Sequence, residues 1–223
     1  MSRSVAIMLL TSVALPWISA SERAEGFFQA AQEPDWHEGL DTTVPIGFFI
    51  APDDADDSAA SVGDAQLARW ALGAWQDAAA GRLELVPAPP ENALIHLYWV
   101  AANEGLYGEM RPFTRGEQRG AAVFVLPDTS GLGQVIHRRA GRDPLFRDTI
   151  VYLTCLHELG HAFGLGHTAD YDDIMYSFAY GGDIVGYFQR YRDRIRTRDD
   201  IAERPGLSQP DVARLRALYE PSQ

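Results

Sequence analysis

His157, Glu158, His161, Gly164 and His167 fit the pattern H-E-x-x-H-x-x-G-x-x-H, and Met175 follows eight residues later. No other stretch of the chain restricts its fold so tightly. On a helix, residues four apart share a face about one turn apart, so His157 and His161 can offer ring nitrogens to one ion. Glu158 stands at the edge of that face, where it can reach a water on the ion. A third ligand on the same straight helix would lie too far along the axis. The chain must therefore bend after His161, and Gly164 is where it can, because glycine tolerates positive φ and ends helices easily. The bend returns His167 to the metal. Three protein ligands leave a fourth position for water, which is the open arrangement of a catalytic zinc site. Copper, nickel and iron also accept imidazole, but three imidazoles with one open position favour zinc. Two histidines on one helix face arise without any metal; the glycine and third histidine at fixed spacing set this run apart from that background.

The residues around this run extend the pattern. A hydroxyl residue, Thr168, follows the third histidine, then Asp170 three places after it, then Met175 and Tyr176. The chain here resembles a metzincin peptidase and, within that clan, a matrixin. Residues 207–219 resemble the last helix of that family, and residues 71–76 its first. The resemblance covers roughly residues 42–220. It implies an α+β domain of the metzincin α/β type: a twisted, mostly parallel five-stranded sheet with the catalytic helix beneath it, and a small helical C-terminal subdomain. It implies a zinc-dependent endopeptidase acting on proteins or peptides, with one catalytic zinc on His157, His161 and His167. Met175 then forms an apolar floor beneath the metal without binding it, and Asp170 steadies the loop that presents His167. Zinc lowers the pKa of its water and polarises the peptide carbonyl, while Glu158 serves as general base. Two other readings stay open: a silent zinc-binding interaction module, or a hydrolase of another amide such as a cell-wall peptide link.

Three departures from the family pattern matter. Its last helix usually opens with two acidic residues, whereas here Pro210 precedes Asp211. No cysteine-switch motif precedes the domain. His37, His96 and His137 are at unsuitable spacing for a second, structural zinc, so that site is expected to be absent.

The ends of the chain carry further expectations. Arg3 gives a positive start, residues 5–18 are mostly apolar, and Ser19, Ala20 and Ser21 are small. That layout predicts a signal peptide over residues 1–20 and a secreted or periplasmic protein; a retained anchor is the alternative. Residues 21–41 are polar and irregular and read as a short N-terminal segment, with Glu33, Asp35, Glu38 or His37 available to block the site as a propeptide. The catalytic domain is expected over 42–220.

A chain of 223 residues, 46% of them hydrophobic, can bury one sizeable core. The net charge of −12 argues against nucleic acid and anionic membrane as partners and suits a soluble monomer. Cys155 is the only cysteine, so no intramolecular disulfide forms, and it reads as a buried structural thiol.

The pattern of apolar residues predicts strands over 45–51, 82–87, 93–100 and 121–126 and a helix over 63–80. Asp53, Asp54, Asp56 and Asp57 form an acidic loop that could bind calcium or simply be solvated. A Gly- and Arg-rich loop is expected from 103 to 120. By resemblance, 121–126 is the sheet edge above the cleft, where an extended substrate could add as a strand. Asp148 or Thr149 is expected to cap the catalytic helix, which runs to about Gly164. Residues 177–206 are longer than a minimal matrixin needs and suggest an amphipathic helix near 184–197. That helix either packs on the core or borders the S1′ pocket, the slot for the side chain after the cut bond. Tyr176, Ser177, Phe178 and Tyr180 are the candidate pocket residues.

Overall fold

The structure, a computed structural model, describes residues 39–54, 60–100 and 107–220. The expected signal peptide and most of the segment 21–41 lie outside the described residues, as do Asp56 and Asp57.

Five strands form one sheet in the order β2-β1-β3-β5-β4, from β1 (Ile46–Ile50), β2 (Leu85–Pro87), β3 (Ile95–Trp99), β4 (Gly108–Arg115) and β5 (Gln118–Val125). All neighbours are parallel except β4 and β5. Strand alternation decides which face is core. Ile95, Leu97 and Trp99, with Ala121, Val123 and Val125, belong to the main core under the helices, whereas His96, Tyr98, Ala122 and Phe124 face the other way.

Two helices cover the core face. Helix α1 (Asp64–Ala78) starts where both oxygens of Asp53 accept backbone N–H groups, from Gly63 and Ala65. Asp53 thereby serves the start of this helix as a cap. Helix α3 (Pro144–Ala162) follows the short α2 (Gln134–Ala140). Trp75 of α1 is fully buried and donates its indole N–H to Leu156 O of α3 at 2.8 Å. Cys155 is fully buried, and burial pushes its thiol well above the ordinary range, which makes it inert.

Residues 108–115 are a strand, paired with β5 through a tight turn at Gly116 and Glu117, and not part of a loop. The sheet edge is therefore β4, and β5 lies inside the sheet. Pro112 and the charges of Arg111 and Arg115 hide the strand in the sequence, but an edge needs hydrogen bonds on one side only and tolerates both. The helix cap is also corrected. Asp143 accepts the N–H of Phe146 at 3.2 Å with Pro144 next to it, so α3 begins before Asp148 and Thr149. Asp148 instead pairs with Arg198, and Thr149 donates to Leu145 O.

The C-terminal part holds α4 (Ile184–Arg192), α5 (Asp200–Glu203) and α6 (Gln209–Leu218). Helix α4 is shorter than the expected 184–197, because Arg196 and Thr197 turn their backbone N–H groups to the Asp200 carboxylate. Helix α6 opens on a capping box of Ser208 and Asp211. The packed domain reaches back beyond residue 42. Leu40 is buried and its N–H donates to Tyr219 Oη, which itself donates to Phe163 O at the end of α3.

Candidate metal centre and its cleft

The end of α3 is shaped by its own backbone. Gly164 has φ of 94°, its N–H donates to His161 O, and Leu165 N–H donates to Gly160 O. This paired closure is a Schellman turn, in which a left-handed glycine stops the helix and reverses the chain. The reversal has a second result: it brings Leu165 O to 2.8 Å from His161 Nδ1. The loop beyond His167 does the same for the other helix histidine, placing Ile174 O at 2.7 Å from His157 Nδ1. A carbonyl only accepts, so both Nδ1 atoms carry the proton and both Nε2 atoms present lone pairs.

Those lone pairs converge. The Nε2 atoms of His157 and His161 are 3.2 Å apart, His161 and His167 3.1 Å, and His157 and His167 3.3 Å. With their protons on Nδ1, the two helix histidines have none to share at Nε2, and a cation between the three is what makes such closeness favourable. A tetrahedral ion with bonds of about 2.0–2.1 Å needs ligand atoms about 3.3 Å apart, so the donor set fits zinc. Among the described residues this triad is the one group of His, Cys, Asp or Glu side chains able to hold a metal. Burial holds His157 down to about 4 and also lowers His167, so both rings are neutral and ready to bind at neutral pH.

Glu158 is buried beside the triad. Its carboxyl is pushed up to about 8, by burial first and by the charge of Glu109 second. A metal dication at the triad acts in the opposite sense. The carboxylate lies against the start of β4: a Cβ on Gly108 would sit 2.5 Å from Glu158 Oε1. Met175 is fully buried beneath the helix, and a Cβ at Gly160 would overlap its sulfur. The close approach of α3 to Met175 thus depends on Gly160.

The loop from 168 to 176 is tied at several points. Thr168 and Met175 are joined backbone to backbone, and Asp170 accepts the N–H of Asp172. Buried Asp211 accepts the N–H of Ile174 at 2.8 Å, linking α6 to the residue whose carbonyl orients His157. Asp173, also buried, accepts from Ser208 Oγ and Arg214. Neither aspartate is picked out by the zinc pattern; Asp173 has no signal in the sequence at all.

A pocket of ≈ 180 Å³ opens beside the triad, touching His157, Glu158 and His167. Tyr176, Ser177 and Phe178 line it. Tyr180 does not. The 3₁₀ turn Phe178–Tyr180 carries it onto the surface, where it is 66% exposed. The sequence reading missed Leu153 and Thr154, although they lie four and three residues before His157 and so share its face. The helix expected near 184–197 supplies Ile184, Tyr187 and Phe188 to the far wall, at i, i+3, i+4 spacing. Tyr107 and Leu132 arrive from distant segments and had no signal.

The family model described as Matrixin matches residues 48–185. Among curated proteins the chain is similar to interstitial collagenases: 28% identical over 141 residues to that of Sus scrofa, and 27% identical to those of Oryctolagus cuniculus and Bos taurus. Each match covers 57% of this chain and 25% of the collagenase, so the chain spans a quarter of the length of the relatives it matches.

Proposed function

The chain belongs to the matrixin family, and on that premise we propose that it is an exported zinc-dependent endopeptidase. The observation that carries the reading is the convergence of three Nε2 atoms at 3.1–3.3 Å beside the buried carboxyl of Glu158. His157, His161 and His167 would hold the ion. Zinc there supplies Lewis acidity to a water and to the peptide carbonyl. Glu158 takes the proton of the attacking water on a carboxylate oxygen and returns it to the leaving nitrogen. Its burial against β4 keeps the transferred proton from bulk solvent.

The rest of the cleft positions the substrate. β4 is an edge of the sheet and starts beside Glu158, so an extended peptide can pair with it as a further strand. The adjoining pocket, walled by Leu153, Tyr176, Phe178, Tyr187 and Phe188, takes the side chain that follows the cut bond. Its apolar walls select an apolar residue there. Met175 supports the site from below and is no ligand; Asp170 and Asp211 hold the loop that carries His167. Residues 1–20 serve export. Among the described residues no helix is long and apolar enough to cross a membrane.

A peptide library digested by the zinc-loaded protein tests this. Cuts before apolar residues, stopped by a chelator and restored by zinc, are expected. Cleavage that ignores the chelator would contradict the reading.

A further inference from the structure

Behind the pocket wall lies a second hollow, of ≈ 160 Å³. Leu153 and Tyr187 line both it and the pocket beside the triad, so the two spaces share these side chains as a common wall. The hollow is otherwise bordered by Ile174, Tyr191 and Leu207 on its apolar side. Its tyrosines are fixed in place: Tyr187 donates to Asp173 O at 3.1 Å and Tyr191 to Arg204 O at 2.6 Å. Both rings therefore act as apolar walls with satisfied hydroxyls.

The charges do not cancel. Asp172, Arg190 and Arg194 are the ionised residues at its border. Arg190 is paired with Asp172, donates to Tyr171 O at 2.9 Å, and lies over the rings of Tyr171 and Tyr187. Arg194 makes no side-chain hydrogen bond or ion pair among the described residues, and it is exposed. One positive charge is left beside a hollow whose lining is part apolar, with two tyrosine rings, and part polar.

We propose that this hollow is a second binding site, for a small molecule with an aromatic or aliphatic body and one carboxylate. The carboxylate pairs with Arg194, and the body lies on Leu153, Tyr187 and Leu207. An occupant braces Leu153 and Tyr187 from behind and narrows the pocket they share. The binding stands on the hollow alone; its effect on cleavage rests on the peptidase reading above.

The test uses 4-phenylbutyrate with the zinc-loaded full chain. Acetohydroxamate first caps the metal, so the carboxylate has no route to zinc. Calorimetric titration is expected to give a dissociation constant of about 1 mM, as suits a ligand of this size. Arg194→Ala weakens binding about fivefold, as loss of an exposed ion pair does. Arg194→Lys keeps the charge and stays within about twofold, because the contact is a single charge rather than a fork. No binding by the wild type, or equal binding by Arg194→Ala, overturns the site. Without acetohydroxamate, the compound should raise KM about threefold for a peptide with Phe after the cut bond and leave kcat alone. A peptide with Ala there, and the Arg194→Ala enzyme, should be unaffected. Equal inhibition of both peptides overturns the coupling and places the compound at the metal. If no peptide is cleaved, the peptidase reading fails while the titration still decides the site.

Discussion

The two sides of the cleft are built from different materials. On the metal side the backbone sets the geometry. Carbonyls of Leu165 and Ile174 orient His161 and His157, a Schellman turn at Gly164 reverses the chain, and Asp211 pins the N–H of Ile174. On the pocket side, rings packed on rings set the shape. Tyr176 meets Phe178 at 5.3 Å, Phe178 meets Tyr187 at 5.2 Å, and Tyr187 meets Phe188 at 5.6 Å, all edge to face. A backbone frame permits one arrangement of ligands, whereas a ring cluster can be repacked. Changes on the first side should abolish chemistry, and changes on the second should redirect it.

The largest effect is expected at the triad itself. His161→Ala should lose bound zinc and reduce cleavage by at least about 10³-fold, since the ion supplies the Lewis acid; metal analysis of the purified variant checks it. A variant that keeps its metal would break the frame described here. Next comes Asp211→Ala, which leaves the N–H of Ile174 without its buried acceptor and Arg214 with Asp173 alone. It should lower stability by about 3 kcal/mol in urea unfolding and weaken zinc retention against a chelator. Normal zinc affinity in a destabilised protein would show that α6 supports the fold without reaching the metal.

The pocket side should respond differently. Leu153→Ala enlarges the slot and should shift the kcat/KM ratio for Trp over Leu after the cut bond by about tenfold, with zinc content unchanged. Loss of metal in this variant would erase the distinction between the two sides. The smallest effect belongs to Tyr180→Ala. Its ring is on the surface, so stability should change by no more than about 0.5 kcal/mol and side-chain preference not at all. A changed preference would return Tyr180 to the pocket.

The same contrast decides what could be read in the sequence. The metal side is nearly continuous in the chain, and its spacing encodes a helix face, a turn and a return, so His157, His161, Gly164, His167 and Met175 stand out together. The helix over 64–78 also follows from local pattern, and the one over 209–218 from the family resemblance. The pocket side draws on Tyr107, Leu132, Leu153 and Phe188, which only tertiary folding brings together. β4 escaped because an edge strand has half its backbone unpaired and no need of strict alternation. Asp148 looked like a helix cap because it is polar near the start of an apolar run. It is in fact an interior residue of α3 that pairs with Arg198 across to the C-terminal part.

The most direct test compares cleavage of unfolded casein by the zinc-loaded protein and by Glu158→Ala prepared identically, with zinc measured in both. The account predicts equal zinc in the two proteins, cleavage by the wild type alone, and its loss on adding a chelator. Casein cleavage by Glu158→Ala at a rate near that of the wild type would contradict it.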